Sequence, residues 1–286
     1  ARLAAAGVQI HTRWRWSGWE DTALRFDTPE GPGFKAPQVA VLALGGASWP
    51  RLGSDAAWEN PAAMMDPSQS IGRSPEANAL RVATEDLIVE LGMRRPDLVA
   101  RSGGERYGEA LHDATMARQL LAYHAELARV SADRTARALG IRDAMMADNL
   151  AYIVARERGR GKVLAFAHNS HLKRGRAEWQ LGPDLLAWWP AGAHAAAMLG
   201  PRYAVIGTGL GISEENGIGR PEAGTLEDRL TAARGPARFI PTHLGHGLPT
   251  EEAEALPARS GSIRNSTYFP LTSASLTDFD AVIILD

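Results

Sequence analysis

Apolar positions recur along this chain in two rhythms, and the change falls near residue 160. Before it, helical spacing dominates. Ser74-Pro75-Glu76 reads as an N-cap with proline at the first helical position, and Leu80, Leu87, Ile88 and Leu91 form a stripe that Pro96 ends or interrupts. A second helix is predicted over 108–130, with Leu111, Met116, Leu120, Leu121, Tyr123 and Leu127 on one face, and a third over about 133–156. These three predict an antiparallel helical array in which His112 and His124 take structural or surface places. After the change come short, continuous apolar runs at 162–167, 203–207 and 281–285, with Arg238-Phe239-Ile240 as a weaker candidate. Such runs mark strands buried on both faces of a sheet. Helical stretches near 185–199 and 226–233 separate them. The alternation predicts an α/β fold: a mostly parallel sheet flanked by helices, in one domain over 1–286, with a mainly helical subdomain over 57–135.

The N-terminal stretch follows neither rhythm. Trp14, Trp16 and Trp19 cluster there; Trp14 and Trp16 could flank a pocket, but large aromatics are more often core. Ala23-Leu24-Arg25-Phe26-Asp27 reads as a short strand, and Thr28-Pro29-Glu30-Gly31-Pro32-Gly33 as a loop. Residues 57–73, with Pro61 and Pro67, read as a structured loop.

Composition narrows the function classes. The 286 residues are 45% hydrophobic and 22% charged with a formal net charge of −2, which is ordinary for a soluble domain and points to neither nucleic acid nor membrane as partner. Cysteine is absent, so thiol catalysis, disulfides, thiolate metal sites and iron–sulfur clusters are excluded. No run approaches the roughly 20 apolar residues that span a bilayer. Ala1 to Ile10 makes a poor signal peptide, so a cytoplasmic place is expected, and the opening on Ala1 rather than Met suggests a processed or truncated start.

The candidate chemistry sits at His168-Asn169-Ser170-His171, directly after the 162–167 run. A strand there delivers two imidazoles and an amide at its C-terminal end, the edge where open α/β sheets bind ligands. Histidine exchanges protons near neutral pH. In the third helix Arg142, Met146 and Asn149 share one face, which places Arg142 and Asn149 in the same pocket; the alternative is a surface pair of Arg142 with Asp148. No Gly-x-Ser-x-Gly elbow and no Walker-type phosphate loop occurs. Gly207-Thr208-Gly209-Leu210-Gly211 follows a strand but lacks the third glycine of a dinucleotide loop. His168 and His171, with the similarly spaced His243 and His246, leave zinc as an alternative, although neither pair has zincin spacing.

The pattern Arg142-Asp143-x-x-Met-Ala-x-Asn149, followed by Lys162-Val163-x-x-x-Ala167-His168-Asn169-Ser170-His171, resembles the erythromycin esterase family. Asp55-Ala56-Ala57-Trp58-Glu59-Asn60-Pro61, Gly224-Thr225-Leu226-Glu227 and the closing Tyr268-Phe269-Pro270-Leu271 and Phe279-Asp280-Ala281-Val282 extend the resemblance over most of the chain after about Leu24. It implies an erythromycin esterase-like fold and hydrolysis of a macrolactone or related ester without metal or other cofactor. By resemblance, His168 and His171 are catalytic, while Arg142, Asp143, Asn149 and Asn169 bind substrate. The family's principal base lies in a Gly-Glu-x-x-His-Gly-x-x-Glu motif; no such string occurs here, and His11, the only histidine before residue 100, does not match it. The expectation is therefore an N-terminally incomplete domain with impaired hydrolysis. A non-catalytic remnant that binds a hydrophobic ligand or a partner subunit, and a metal-dependent hydrolase, are the alternatives. Missing first strands would leave a sheet edge open to dimerisation.

Overall fold

The computed structural model describes residues 15–20, 23–35, 40–43, 61–232, 237–242, 256–262, 264–265 and 268–285. His11, Trp14, Asp55 to Asn60, His243 and His246 lie outside them. Contacts divide the chain into two compact units, one of 1–43 with 153–166 and the other of 44–152 with 167–286.

In the first unit β1 (Arg15–Glu20), β2 (Ala23–Thr28) and β3 (Gly31–Lys35) form an antiparallel meander in that order. Trp16 stands opposite Phe26, and Trp19 opposite Leu24. The turn into β3 is shorter than the sequence predicts: the Thr28 hydroxyl donates to Gly31 O at 2.7 Å, and Gly31 takes a φ of 114° that favours glycine. Gly31 to Gly33 are strand rather than loop. β4 (Ala40–Ala43) pairs in parallel with β5 (Val163–Phe166). β5 is the strand predicted over 162–167, but its burial alternates. Leu164 is 48% and Phe166 67% exposed, so one face is open where two buried faces were expected. A continuous apolar run is equally compatible with either outcome, because what covers a face is supplied by distant chain.

In the second unit, α1 (Pro61–Met65) precedes α2 (Pro75–Met93), α3 (Arg95–Ser102), α4 (Gly104–Leu127) and the greater part of α5 (Arg134–Arg156). The Ser74 hydroxyl caps α2 by accepting from Ala77 N at 3.1 Å. Pro96 starts α3 at its second position after α2 has closed at Met93. The α2 stripe is only partly used: Leu80 and Leu87 stay exposed, Ile88 and Leu91 are half-buried, and Thr84 is the one buried residue of that helix. The working core lies between α1, α4 and α5, where Ala63, Tyr123, Leu127, Ala138 and Met145 pack. Arg134, buried beside them, donates to Ala63 O, Leu127 O and Met64 O, which satisfies the orphan carbonyls of two helix ends.

The sheet of this unit runs β8 (Ile206–Leu210), β10 (Ala281–Leu285), β9 (Ala237–Pro241), with β8 parallel and β9 antiparallel to β10. β10 lies where the apolar run predicts. β8 starts three residues later than expected and runs through the glycines: a Cβ on Gly207 would meet the Phe279 ring at 2.8 Å, and one on Gly209 would meet Ile284 at 2.7 Å. Those glycines make room for the core of Leu226, Leu230, Leu271, Phe279, Val282 and Ile284 and are not a phosphate loop. β6 (Ala177–Leu181) and β7 (Asp184–Trp188) form a hairpin, so residues 185–188 are strand rather than the predicted helix. Helix follows only from Ala191 to Leu199. Among the described ladders only β4/β5 and β8/β10 are parallel, so the sheet pairing is mixed within the α/β class. Among the described residues no helix is long and apolar enough to cross a membrane.

Candidate functional site

Beyond β5 the chain turns at His168 into α6 (Asn169–Leu172). His168 is itself the N-cap: its backbone is extended, and its Nδ1 accepts from Ser170 N at 3.1 Å and lies 2.8 Å from the Ser170 hydroxyl. The ring is exposed, edge-on to Phe269 at 5.4 Å and to His171 at 6.4 Å between centroids. His171, one turn on, is mostly covered.

Two successive residues of α5 hold the His171 ring at both nitrogens. Asp143 Oδ1 accepts from His171 Nδ1 at 2.7 Å, and Arg142 Nη2 donates to His171 Nε2 at 3.4 Å. Asp143 is fully buried, and all its neighbours are donors: Trp188 Nε1 gives to Oδ2 at 2.5 Å and Ala191 N to Oδ1 at 3.2 Å. A buried carboxylate with both oxygens satisfied is a rigid post rather than a surface charge. Asp143, expected to bind substrate, is buried with both oxygens engaged, and one of them holds His171. Among the described residues no carboxylate pairs with Arg142, and its Nε is buried without a partner. Asp148, the alternative partner, instead accepts from Gln119 Nε2 at 2.6 Å.

Asn169, also expected to bind substrate, is engaged with β8. Its Oδ1 accepts from Thr208 N at 3.0 Å and its Nδ2 donates to Thr208 O at 2.6 Å, so the amide latches α6 onto the side of β8. Asn149 lies two turns along α5 from Arg142, and no hydrogen bond links it to either histidine. Of the expected site residues, the structure therefore brings together His168, His171, Arg142 and Asp143.

The C-terminal side of α6 is clamped. Lys173 Nζ meets Asp278 at 2.7 Å, Gly175 N donates to Asp278 at 2.6 Å, and Arg174 meets Asp280 at 2.7 Å. Tyr203 donates its hydroxyl to Leu172 O at 2.6 Å, and burial pushes that hydroxyl's pKa up to about 12, which keeps the donor protonated. The N-terminus of α7 (Ala191–Leu199) comes so close that a Cβ on Gly192 would lie 1.9 Å from Leu172 O. Trp188, Gly192 and Thr208 were not legible as site residues. Only the run Trp188-Trp189-Pro190 hinted at one, by placing large aromatics next to a helix start.

A second buried acidic position lies in the same unit. Glu227, in the first turn of α8 (Leu226–Thr231), is fully buried. Its Oε1 accepts from the Tyr268 hydroxyl at 3.0 Å and Leu271 N at 3.3 Å, while Oε2 has no partner. Burial raises the Glu227 pKa above the ordinary carboxylate value, and burial together with the Glu227 charge raises that of Tyr268. Arg259, buried over the Tyr268 ring, donates to Leu210 O, Gly211 O and Gly219 O. Among the described residues no group of three or more His, Asp or Glu is placed to hold a metal ion.

A family model described as erythromycin esterase matches residues 43–286. Among solved structures, the erythromycin esterase EreC, a mutant in its open conformation, is similar with a TM-score of 0.52 at 17% identity, over 80% of this chain and 57% of that one. That likeness concerns the fold, and this chain spans little more than half the length of the EreC chain. No curated protein matches.

Proposed function

The chain belongs to the erythromycin esterase family, and on that premise we propose that it hydrolyses carboxylic esters, of macrolactone or related type, without a metal. The observation that carries the reading is the row Asp143, His171, Arg142 beside the exposed His168: an imidazole and a cation that, among the described residues, has no carboxylate counter-ion, at one site. Ester hydrolysis develops negative charge on the carbonyl oxygen, and donors already in place stabilise it without reorganisation. Arg142 and His168 take that task, water is the nucleophile, and the substrate is a small molecule. Inactivation of a macrolide in the cytoplasm is the setting this reading suggests.

Release of p-nitrophenol from p-nitrophenyl acetate and loss of erythromycin, each with and without EDTA, test it. Hydrolysis indifferent to chelator, and reduced about a hundredfold or more by His168→Ala, is the expected outcome. Loss of activity in EDTA would move the assignment to a metal-dependent hydrolase. Binding of erythromycin with no turnover would mark a non-catalytic remnant instead.

A further inference from the structure

We propose that Glu227 is a positioning residue of the candidate site: through Tyr268 and Leu271 it fixes Phe269 against the His168 ring, and so sets the angle at which that imidazole meets substrate. The effect on turnover rests on the hydrolase reading above; the placement of Phe269 does not.

Two anchors lie on one atom. The Tyr268 hydroxyl and Leu271 N both donate to Glu227 Oε1, at 3.0 and 3.3 Å. Only Phe269 and Pro270 stand between those anchors in the chain. Proline fixes its own φ and restricts the residue before it, so a segment tied at both ends to a single oxygen keeps little freedom. Packing backs each anchor. Leu271 is buried among Leu226, Leu230, Phe279 and Ile284, and the Arg259 guanidinium covers the Tyr268 ring at 5.9 Å from its centroid. Arg259 donates in turn to Leu210 O, Gly211 O and Gly219 O, which joins that cover to the end of β8. Burial, and after it the Glu227 charge, raises the Tyr268 pKa, so the hydroxyl stays a donor.

Phe269 is half-buried, and its ring meets that of His168 at 5.4 Å between centroids with the planes at 81°. Aromatic pairs prefer such an edge-to-face arrangement. The hydrogen bonds at His168 Nδ1 tie the ring to its cap but tolerate a spread of angles, and Phe269 narrows that spread. Glu227 is fully buried, so it acts on the site through its two donors and not by touching substrate. A carboxylate, a protonated carboxyl and a carboxamide each offer an oxygen acceptor, so glutamine can take over the role; leucine cannot.

The 1H–13C signals of the His168 ring, in protein with 13C-labelled histidine near pH 8, where ordinary histidines are neutral, report its aromatic neighbour. His168→Asn identifies them, and Phe269→Leu gives their position once the phenyl ring is gone. Glu227→Leu is expected to move them toward that position, while Glu227→Gln leaves them near the wild-type one. Unmoved signals in Glu227→Leu overturn the proposal. Should that variant not fold, Tyr268→Phe removes one anchor and keeps the ring; the same direction of movement is expected, and its absence is equally decisive. On p-nitrophenyl acetate, Glu227→Leu and Phe269→Leu should each lower kcat about tenfold or more with KM little changed. The double variant should be no slower than Phe269→Leu within about a factor of two, because Glu227 acts through Phe269. Multiplied losses, or a Glu227→Gln that does not restore kcat, overturn the positioning role. Wild-type protein without esterase activity would sink the hydrolase reading, while the His168 signals judge the placement separately.

Discussion

Asp143 and Glu227 are both completely buried carboxylates in the same compact unit, and they are finished in opposite ways. Both Asp143 oxygens have protein donors, from Trp188, Ala191 and His171. Glu227 has two donors on one oxygen, from Tyr268 and Leu271, and none on the other. The desolvation cost is similar for two carboxylates so placed; what differs is how completely hydrogen bonds offset it. The complete set makes Asp143 a post on which an imidazole is fixed. The incomplete set leaves Glu227 with a raised pKa and makes it a proton-sensitive point in the packing under β8 and β10.

The comparison breaks most visibly at Asp143. Asp143→Ala leaves the buried Trp188 Nε1 and Ala191 N, and the partly covered His171 Nδ1, without their acceptor, and should lower stability by about 3–5 kcal/mol, read as a fall in the urea midpoint. A loss under about 1 kcal/mol would show that the carboxylate is no structural post. Trp188→Phe tests one donor alone: Oδ2 loses its partner at an expected cost of about 1–3 kcal/mol, while the His171 Nδ1 proton signal persists. Loss of that signal would mean the post depends on the indole as a whole.

The smallest effect sharpens the other half. Burial holds Glu227 above its unfolded pKa, so the folded protein binds this proton more tightly than the unfolded chain. Its stabilising contribution is full below the unfolded value, about 4.3, and is lost as pH rises through the raised folded value. Glu227→Gln should thus match wild type within about 1 kcal/mol near pH 4.5 and gain on it as pH rises toward neutrality. Parallel urea midpoints across that range would show that Glu227 is as well compensated as Asp143.

The strand end with its two histidines and the Arg142-Asp143 pair were legible in the sequence because strand, turn and helix signals stand close together there. β10, β9, β2, the Ser74 cap and the α5 span were legible for the same reason: each depends on residues within a few positions of one another. The β6–β7 hairpin was missed although Gly182-Pro183 punctuates it and Gly182 takes a φ of 58°. Leu185, Leu186, Ala187 and Trp188 fit a helix stripe as readily as a strand. The glycines of β8 misled for another reason: their cause lies across the core in Phe279 and Leu271.

By itself the sequence determined the α/β class and the family, since periodicity, caps and short motifs are local signals. Tertiary structure alone decided what each of the site residues touches. Asp143 became a support, Asn169 a latch, and the two histidines opposite partners, because a hydrogen bond's direction depends on which groups distant chain brings within about 3 Å. No spacing along the chain encodes that.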